Sequence, residues 1–368
     1  MRPHSRSLTT SLVLSLLLLA CGGGDPSADR ATPTEDTVAV DDRGDASTGT
    51  DEAADEATDE AEAGAVLRVV ATVAPVADLV RRVGGDRVEV DTLVPAGADS
   101  HTYEPRPQDV VGLSSSDAFF GVGLDLNPAS VALAESSLPE DAPVLLLGEH
   151  LASEDLVHDH THDDGHTHHD DGHTHDDGHT HDGAGPGPNP HVWTSVRLAG
   201  DLVEAIREGL TDLDPEGAEA YRQRAEELRS ELADLDDAIV DAVATIPDDQ
   251  HTLVAYHDAW SYFARDYGFD LVTAVQPSDY AEPSAGDVRE VIDLVREHDV
   301  PAVFGSEVFP TDVVDTIAAE TGATYVGDLA DDELPGEPGD PEHGYVELMR
   351  RNAATVVEAL GGDAAALE

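Results

Sequence analysis

The 368-residue sequence contains no lysine, and its 19 basic residues are all arginine, set against 78 acidic ones. Without lysine there is no Walker A phosphate loop and no Schiff-base chemistry, which excludes P-loop ATPases and pyridoxal-phosphate enzymes. A formal net charge of −59 leaves no basic face to neutralise phosphates, so nucleic acid is excluded as a partner. The same acidity concentrates cations near the chain. Cysteine is almost absent: the single Cys21 rules out an internal disulfide and any cysteine-based zinc site. Long apolar runs are missing too, since the one over residues 12–20 is too short for a stable membrane span.

That short run has a use. Arg2 and Arg6 precede it in the pattern of a secretory signal, expected over residues 1–20. Leu18-Leu19-Ala20-Cys21 resembles a bacterial lipobox, which implies cleavage before Cys21 and lipid on its sulfur. The mature chain would then sit on the extracytoplasmic face of the bacterial cell membrane; an ordinary cleaved signal with an incidental cysteine is the alternative. Residues 25–64 carry fourteen acidic residues against two arginines and no apolar stripe, so residues 21–64 read as a lipidated cysteine followed by a disordered, self-repelling tether.

What is abundant is histidine, and it is of two kinds. Ten of the eighteen lie between His158 and His181: His158, His160, His162, His166, His168, His169, His173, His175, His179 and His181. They are embedded in a threefold Asp-Asp-Gly-His-Thr-His repeat with almost nothing apolar. Such a tract cannot offset its own ordering entropy, and is expected to be a solvated loop, residues 158–182, whose imidazoles and carboxylates gather metal ions loosely. His191 differs. It follows a Gly/Pro run, is flanked by Pro190 and Trp193, and opens an amphipathic segment, which places it near a helix start.

From residue 66 onward, strand and helix signals alternate. Strands are predicted at 66–73, 88–94, 118–121 and 144–147, with helices at 75–84, 108–114 and from Asn127, making a first α/β lobe over 65–212. A helix at 196–210 leads to a much longer one at 215–246, the linking element of residues 213–247, with Leu228, Leu232, Leu235 and Ile239 at three- and four-residue spacing. The alternation resumes over 248–368, with strands at 252–256, 271–275, 302–305 and 323–327, helices at 258–267, 285–298 and 311–321, and a closing helix at 342–360. The fold class is therefore α/β: two open parallel-sheet lobes joined by one long rigid backbone helix.

Ligands in such sheets bind beyond the carboxyl ends of the strands. His101 lies seven residues past the second predicted strand, His257 directly follows 252–256, and Asp328 directly follows 323–327. With His191 they make three imidazoles and one carboxylate, a natural set for zinc. His150, His251, His298 and His343 read as surface residues.

The words around the four candidates go further. PAGADSHTYEPRPQDV, NPHVWTSVRLAG, LVAYHDAWSYFARDYGF and GATYVGDLADDEL resemble, in order, the ligand segments of the substrate-binding lipoproteins of zinc and manganese ABC uptake systems, the ZnuA-like family (metal-binding cluster A-I type). The resemblance spans residues 66–360, and the histidine-rich insertion before the second segment is typical of zinc members. It implies two lobes and one long helix with the ion between them, held by His101, His191, His257 and Asp328. It also implies delivery of Zn2+ by a monomeric, lipid-anchored protein to an ABC permease and its ATPase. Manganese members generally carry a carboxylate at the position of His257, so histidine here favours Zn2+ over Mn2+. The sequence departs from the family in two places. Asp328 is followed closely by Asp331, Asp332 and Glu333, and His191 by Val-Trp-Thr-Ser. Glu104 would either orient His101 or stand as a solvated rim charge.

Two other readings exist. His160-Thr-His162-Asp-Asp164 superficially matches the His-x-His-x-Asp signature of zinc hydrolases, but no apolar strand adjoins it and the match repeats because the tract repeats. A lipid-anchored metal buffer or adhesin would use the same four ligands.

Overall fold

The computed structural model describes residues 66–158, 187–273, 284–306 and 312–368. The signal segment, Cys21, the acidic tether and the histidines from His160 to His181 lie outside the described residues.

Two four-stranded, wholly parallel sheets form the lobes. In the first, β1 (Leu67–Ala71) pairs with β2 (Val88–Thr92) on one side and β3 (Ala118–Gly121) on the other, and β4 (Val144–Leu146) joins beyond β3. The second repeats this plan, with β5 (Thr252–Ala255) between β6 (Asp270–Thr273) and β7 (Ala302–Ser306), and β8 (Thr324–Leu329) at the far edge. Strands covered on both faces cannot alternate apolar with polar, and β3, Ala-Phe-Phe-Gly, is buried at every position. The connections are helical: α1 (Ala74–Gly84), α2 (Pro107–Leu113) and α3 (Pro128–Ser137) in the first lobe, then α4 (Val196–Leu213), α5 (Ala218–Val243), α6 (Ser261–Tyr267), α7 (Ala285–Glu297), α8 (Asp312–Thr321) and α9 (Tyr345–Ala359).

Helix α5 is the shared element. At 26 residues it spans about 39 Å at 1.5 Å per residue. Its buried side, Tyr221, Ala225, Leu228, Leu232, Leu235, Ile239 and Ala242, recurs at three and four residues, and it packs on α1 and α4 as well as on α9. One continuous apolar core therefore runs from β1 and β3 through α4 and α5 to α6 and α9, while a smaller one around Val291, Val303 and Ile317 holds α7 and α8 to the second sheet. The break before α5 is chemically fixed. Pro215 cannot continue α4, and Asp214 accepts hydrogen bonds from the Tyr221 hydroxyl (2.7 Å) and from Arg87 Nε (2.7 Å). A side chain at position 217 would strike Asp214, Tyr221 and Arg87, so the turn Pro215–Gly217 needs its glycine.

Several element boundaries differ from the sequence prediction by one to three residues. The long helix starts three residues later than expected, because residues 215–217 form a 3-10 turn. Strand β8 runs two residues further than expected: a register shift between Phe304 and Ser306 lets Leu329 pair with Ser306, so Asp328 belongs to the strand rather than following it.

Candidate metal centre

Each loop that carries a candidate ligand is tied down by its own local chemistry. His101 sits in the loop after β2, where Asp99 accepts the His101 backbone N–H (2.9 Å) and the Thr102 hydroxyl (2.7 Å). Buried Asn127, the N-cap of α3, reaches back to donate to the carbonyls of Ser100 (2.6 Å) and Tyr103 (3.1 Å) while accepting from Ser130 N. Thus one side chain starts a helix and fixes the His101 loop. The sequence showed the helix start at Asn127 but gave no sign of its second task.

His191 precedes the 3-10 turn Val192–Thr194, and Ser195 then caps α4 by accepting from Leu198 N (3.1 Å). His257 lies two residues beyond β5, after Tyr256, whose N–H donates to Phe304 O (2.9 Å) and extends the sheet pairing almost to His257. His191 and His257 are buried and His101 half-buried.

The three rings converge. His191 Nε2 lies 2.9 Å from His101 Nε2 and 3.0 Å from His257 Nε2. A single imidazole nitrogen has one in-plane lone pair and cannot serve two such neighbours as a hydrogen-bond acceptor. The spacing is instead close to the roughly 3.3 Å edge of a tetrahedron with zinc–nitrogen bonds of about 2.0–2.1 Å. Burial, reinforced by repulsion from His257 and His101, holds the His191 pKa well below the usual imidazole value, and burial pushes His257 down to about 4. Both rings are therefore neutral, with lone pairs available to a cation.

An acidic turn closes the other side. Buried Asp331 places Oδ2 3.4 Å from His257 Nδ1, and its carbonyl accepts from Trp193 Nε1 (2.8 Å). Asp332, also buried, accepts from Ser100 N through Oδ2 (3.3 Å), while its Oδ1 is buried without a hydrogen-bond partner among the described residues. Desolvation, then repulsion from Asp331, raises the Asp332 pKa well above the ordinary carboxyl range. Glu333 accepts from Gly97 N, so the turn grips the His101 loop at two points.

The structure thus brings His101, His191 and His257 together, and among the described residues these three ring nitrogens make the tight cluster of ligand atoms. Asp328 lies in β8, and its side chain falls outside the described residues. Glu104 is exposed on the rim. His150 and His298 are exposed, as expected, whereas His251 and His343 are half-buried. His251 packs 5.7 Å from Phe269, and His343 Nδ1 meets Pro335 O at 3.1 Å. His158, the first histidine of the rich tract, is exposed and bridges to Pro188 just ahead of Asn189.

Two open parallel sheets, one helix common to both, and three imidazoles converging between them make a candidate metal site. Residues 69–359 match the family described as zinc-uptake complex component A, periplasmic. The chain belongs to that family. It is 30% identical to the manganese-binding lipoprotein MntA of Halalkalibacterium halodurans, an alignment covering 81% of this chain and 90% of that one. It is 28% identical to the high-affinity zinc uptake system protein ZnuA of Bacillus subtilis, covering 80% and 88%. Among solved structures, the periplasmic zinc-binding protein TroA of Treponema pallidum superposes with a TM-score of 0.68 at 26% identity, over 80% of this chain and 99% of that one. No helix of the described residues is long and apolar enough to cross a membrane.

Proposed function

We propose that this protein captures Zn2+ outside the cytoplasm, tethered by lipid on Cys21, and delivers it to an ABC permease driven by its ATPase. The observation that carries this reading is the convergence of His101, His191 and His257 on one point. Three nitrogen ligands suit zinc better than manganese, which prefers oxygen. All three come from one chain, so a monomer suffices. Manganese is the second reading, because relatives carry either metal name. Zinc outranks manganese at almost any nitrogen site, so affinity alone does not separate them; uptake does. A strain lacking the protein should lose uptake of labelled zinc and keep that of manganese. The reverse pattern would establish the manganese reading, and unchanged uptake of both would point to a buffer or adhesin.

The fourth donor, in this reading, comes from the acidic segment that begins at Asp328. Within it, Asp332 has the physical features of a ligand in waiting: buried, repelled by Asp331, and with one oxygen unmet. A divalent cation would supply the missing positive charge. Burial and repulsion from Asp331 make the Asp332 carboxyl hold its proton more tightly, a cation competes with that proton, and affinity is expected to fall on acidification. Asp332→Asn should bind more weakly and with a flatter pH profile. If Asp328→Ala flattens the profile and Asp332→Asn does not, the fourth ligand is Asp328.

The histidine-rich tract is proposed as an ion collector separate from this site. Deleting residues 158–181 should lower the number of ions bound while leaving the strongest zinc affinity within about threefold, because a tract with almost nothing apolar gains little to offset the entropy of ordering around an ion. Equilibrium dialysis measures both quantities, and loss of the tight site in the deletion would show that the tract supplies a structural ligand.

A further inference from the structure

We propose that Asn189 is a positioning residue of the metal site: its side-chain amide sets the tautomer of His191 and ties that ring to the segment bearing His257. The inference rests on the metal-capture reading above and deepens it.

Asn189 is buried, at 2% exposure, immediately before Pro190 and His191. Its Nδ2 donates to Asp258 O at 2.7 Å, and only the NH2 end of an amide can approach a carbonyl in this way. Oδ1 therefore faces His191, where it lies 2.9 Å from Nδ1 and accepts the His191 backbone N–H at 3.0 Å. A carbonyl oxygen only accepts, so Nδ1 must carry the ring proton, which leaves Nε2 bare. That bare nitrogen is the one standing 2.9 and 3.0 Å from the other two rings.

The backbone of Asn189 is held as firmly as its side chain. Its N–H donates to Val157 O in the first lobe (2.7 Å), and its carbonyl accepts the buried Tyr262 hydroxyl of α6 (2.6 Å). Asp258 directly follows His257, so the same amide joins the orientation of one ligand to the chain position of another. A carboxylate at 189 would still accept from Nδ1 but would face the Asp258 carbonyl with no proton to give. An alkyl side chain would do neither task. The neutral amide is what couples the two ligands.

Long-range proton–nitrogen NMR on metal-free, histidine-labelled full-length protein tests this, with His191 assigned by loss of its signals in His191→Ala. The expected spectrum shows His191 protonated at Nδ1 and bare at Nε2. In Asn189→Ala the tautomers should mix and zinc affinity should fall by roughly 10–100-fold, the usual cost of removing an outer partner of a ligand. Asn189→Asp should keep the tautomer and bind zinc more tightly than the alanine variant but less tightly than wild type. A wild-type His191 protonated at Nε2 would overturn the inference, whatever the variants do. So would an alanine variant with the wild-type tautomer and affinity within about twofold. If the alanine variant does not fold, the wild-type spectrum and the aspartate variant decide. If zinc leaves the His191 resonances of the wild type unmoved, it is the metal-capture reading that fails, while the tautomer result stands by itself.

Discussion

His191→Ala is expected to weaken zinc binding by at least about 100-fold, because the loss of an outer partner alone typically costs 10–100-fold and His191 is the ring that both others face. The consequence for stability follows by mass action. At a free zinc concentration 100 times the wild-type Kd, bound metal stabilises the folded protein by about 2.7 kcal/mol, and a 100-fold weaker site retains only about 0.4 kcal/mol of that. Thermal unfolding with and without zinc would show a large upward shift in Tm for wild type and almost none for the variant. His101→Ala and His257→Ala should each lose at least about tenfold in affinity. Wild-type zinc affinity in all three variants would mean the ion binds elsewhere.

The second large effect concerns Trp193, which stands at the junction of the site and the scaffold. It is fully buried, its ring centroid lies 5.3 Å from that of His191, its Nε1 holds Asp331 O, and its carbonyl accepts the Tyr345 hydroxyl at 2.6 Å. Tyr345 in turn begins α9 and donates its backbone N–H to buried Asp78 of α1 at 2.9 Å. Trp193→Ala empties a large volume in the core. It should destabilise the protein by roughly 3–5 kcal/mol in denaturant unfolding. Trp193→Phe keeps most of the apolar contact but leaves Asp331 O without its indole donor, and a loss of about 1–3 kcal/mol is expected. The acidic turn is released in both, so zinc should also leave faster. A loss below about 1 kcal/mol for the alanine variant would contradict this placement of Trp193.

Much of this was legible in the residues. Alternating β-branched runs and amphipathic stretches located the strands and helices to within a few residues, because both periodicities are local properties of the chain. The three histidines were legible for a different reason, the distinctive words in which they are set. What was not legible depends on contacts across long sequence distances. Asn189 has its role only because Asp258, 69 residues away, presents a carbonyl to it. The register shift in β7 that carries β8 on to Leu329 has no sequence signature, and it moved Asp328 from the end of a strand into it. In a run as acidic as Asp331-Asp332-Glu333, composition cannot say which carboxylate is buried against Ser100 and which meets His257; packing decides that.

The most direct measurement is zinc-edge X-ray absorption on protein lacking residues 158–181 and loaded with one equivalent of zinc, so that no histidine of the rich tract contributes. A site built on His101, His191 and His257 predicts about three imidazole nitrogens at roughly 2.0–2.1 Å, with one carboxylate oxygen completing the shell. A spectrum dominated by oxygen, with one imidazole or none, would contradict it.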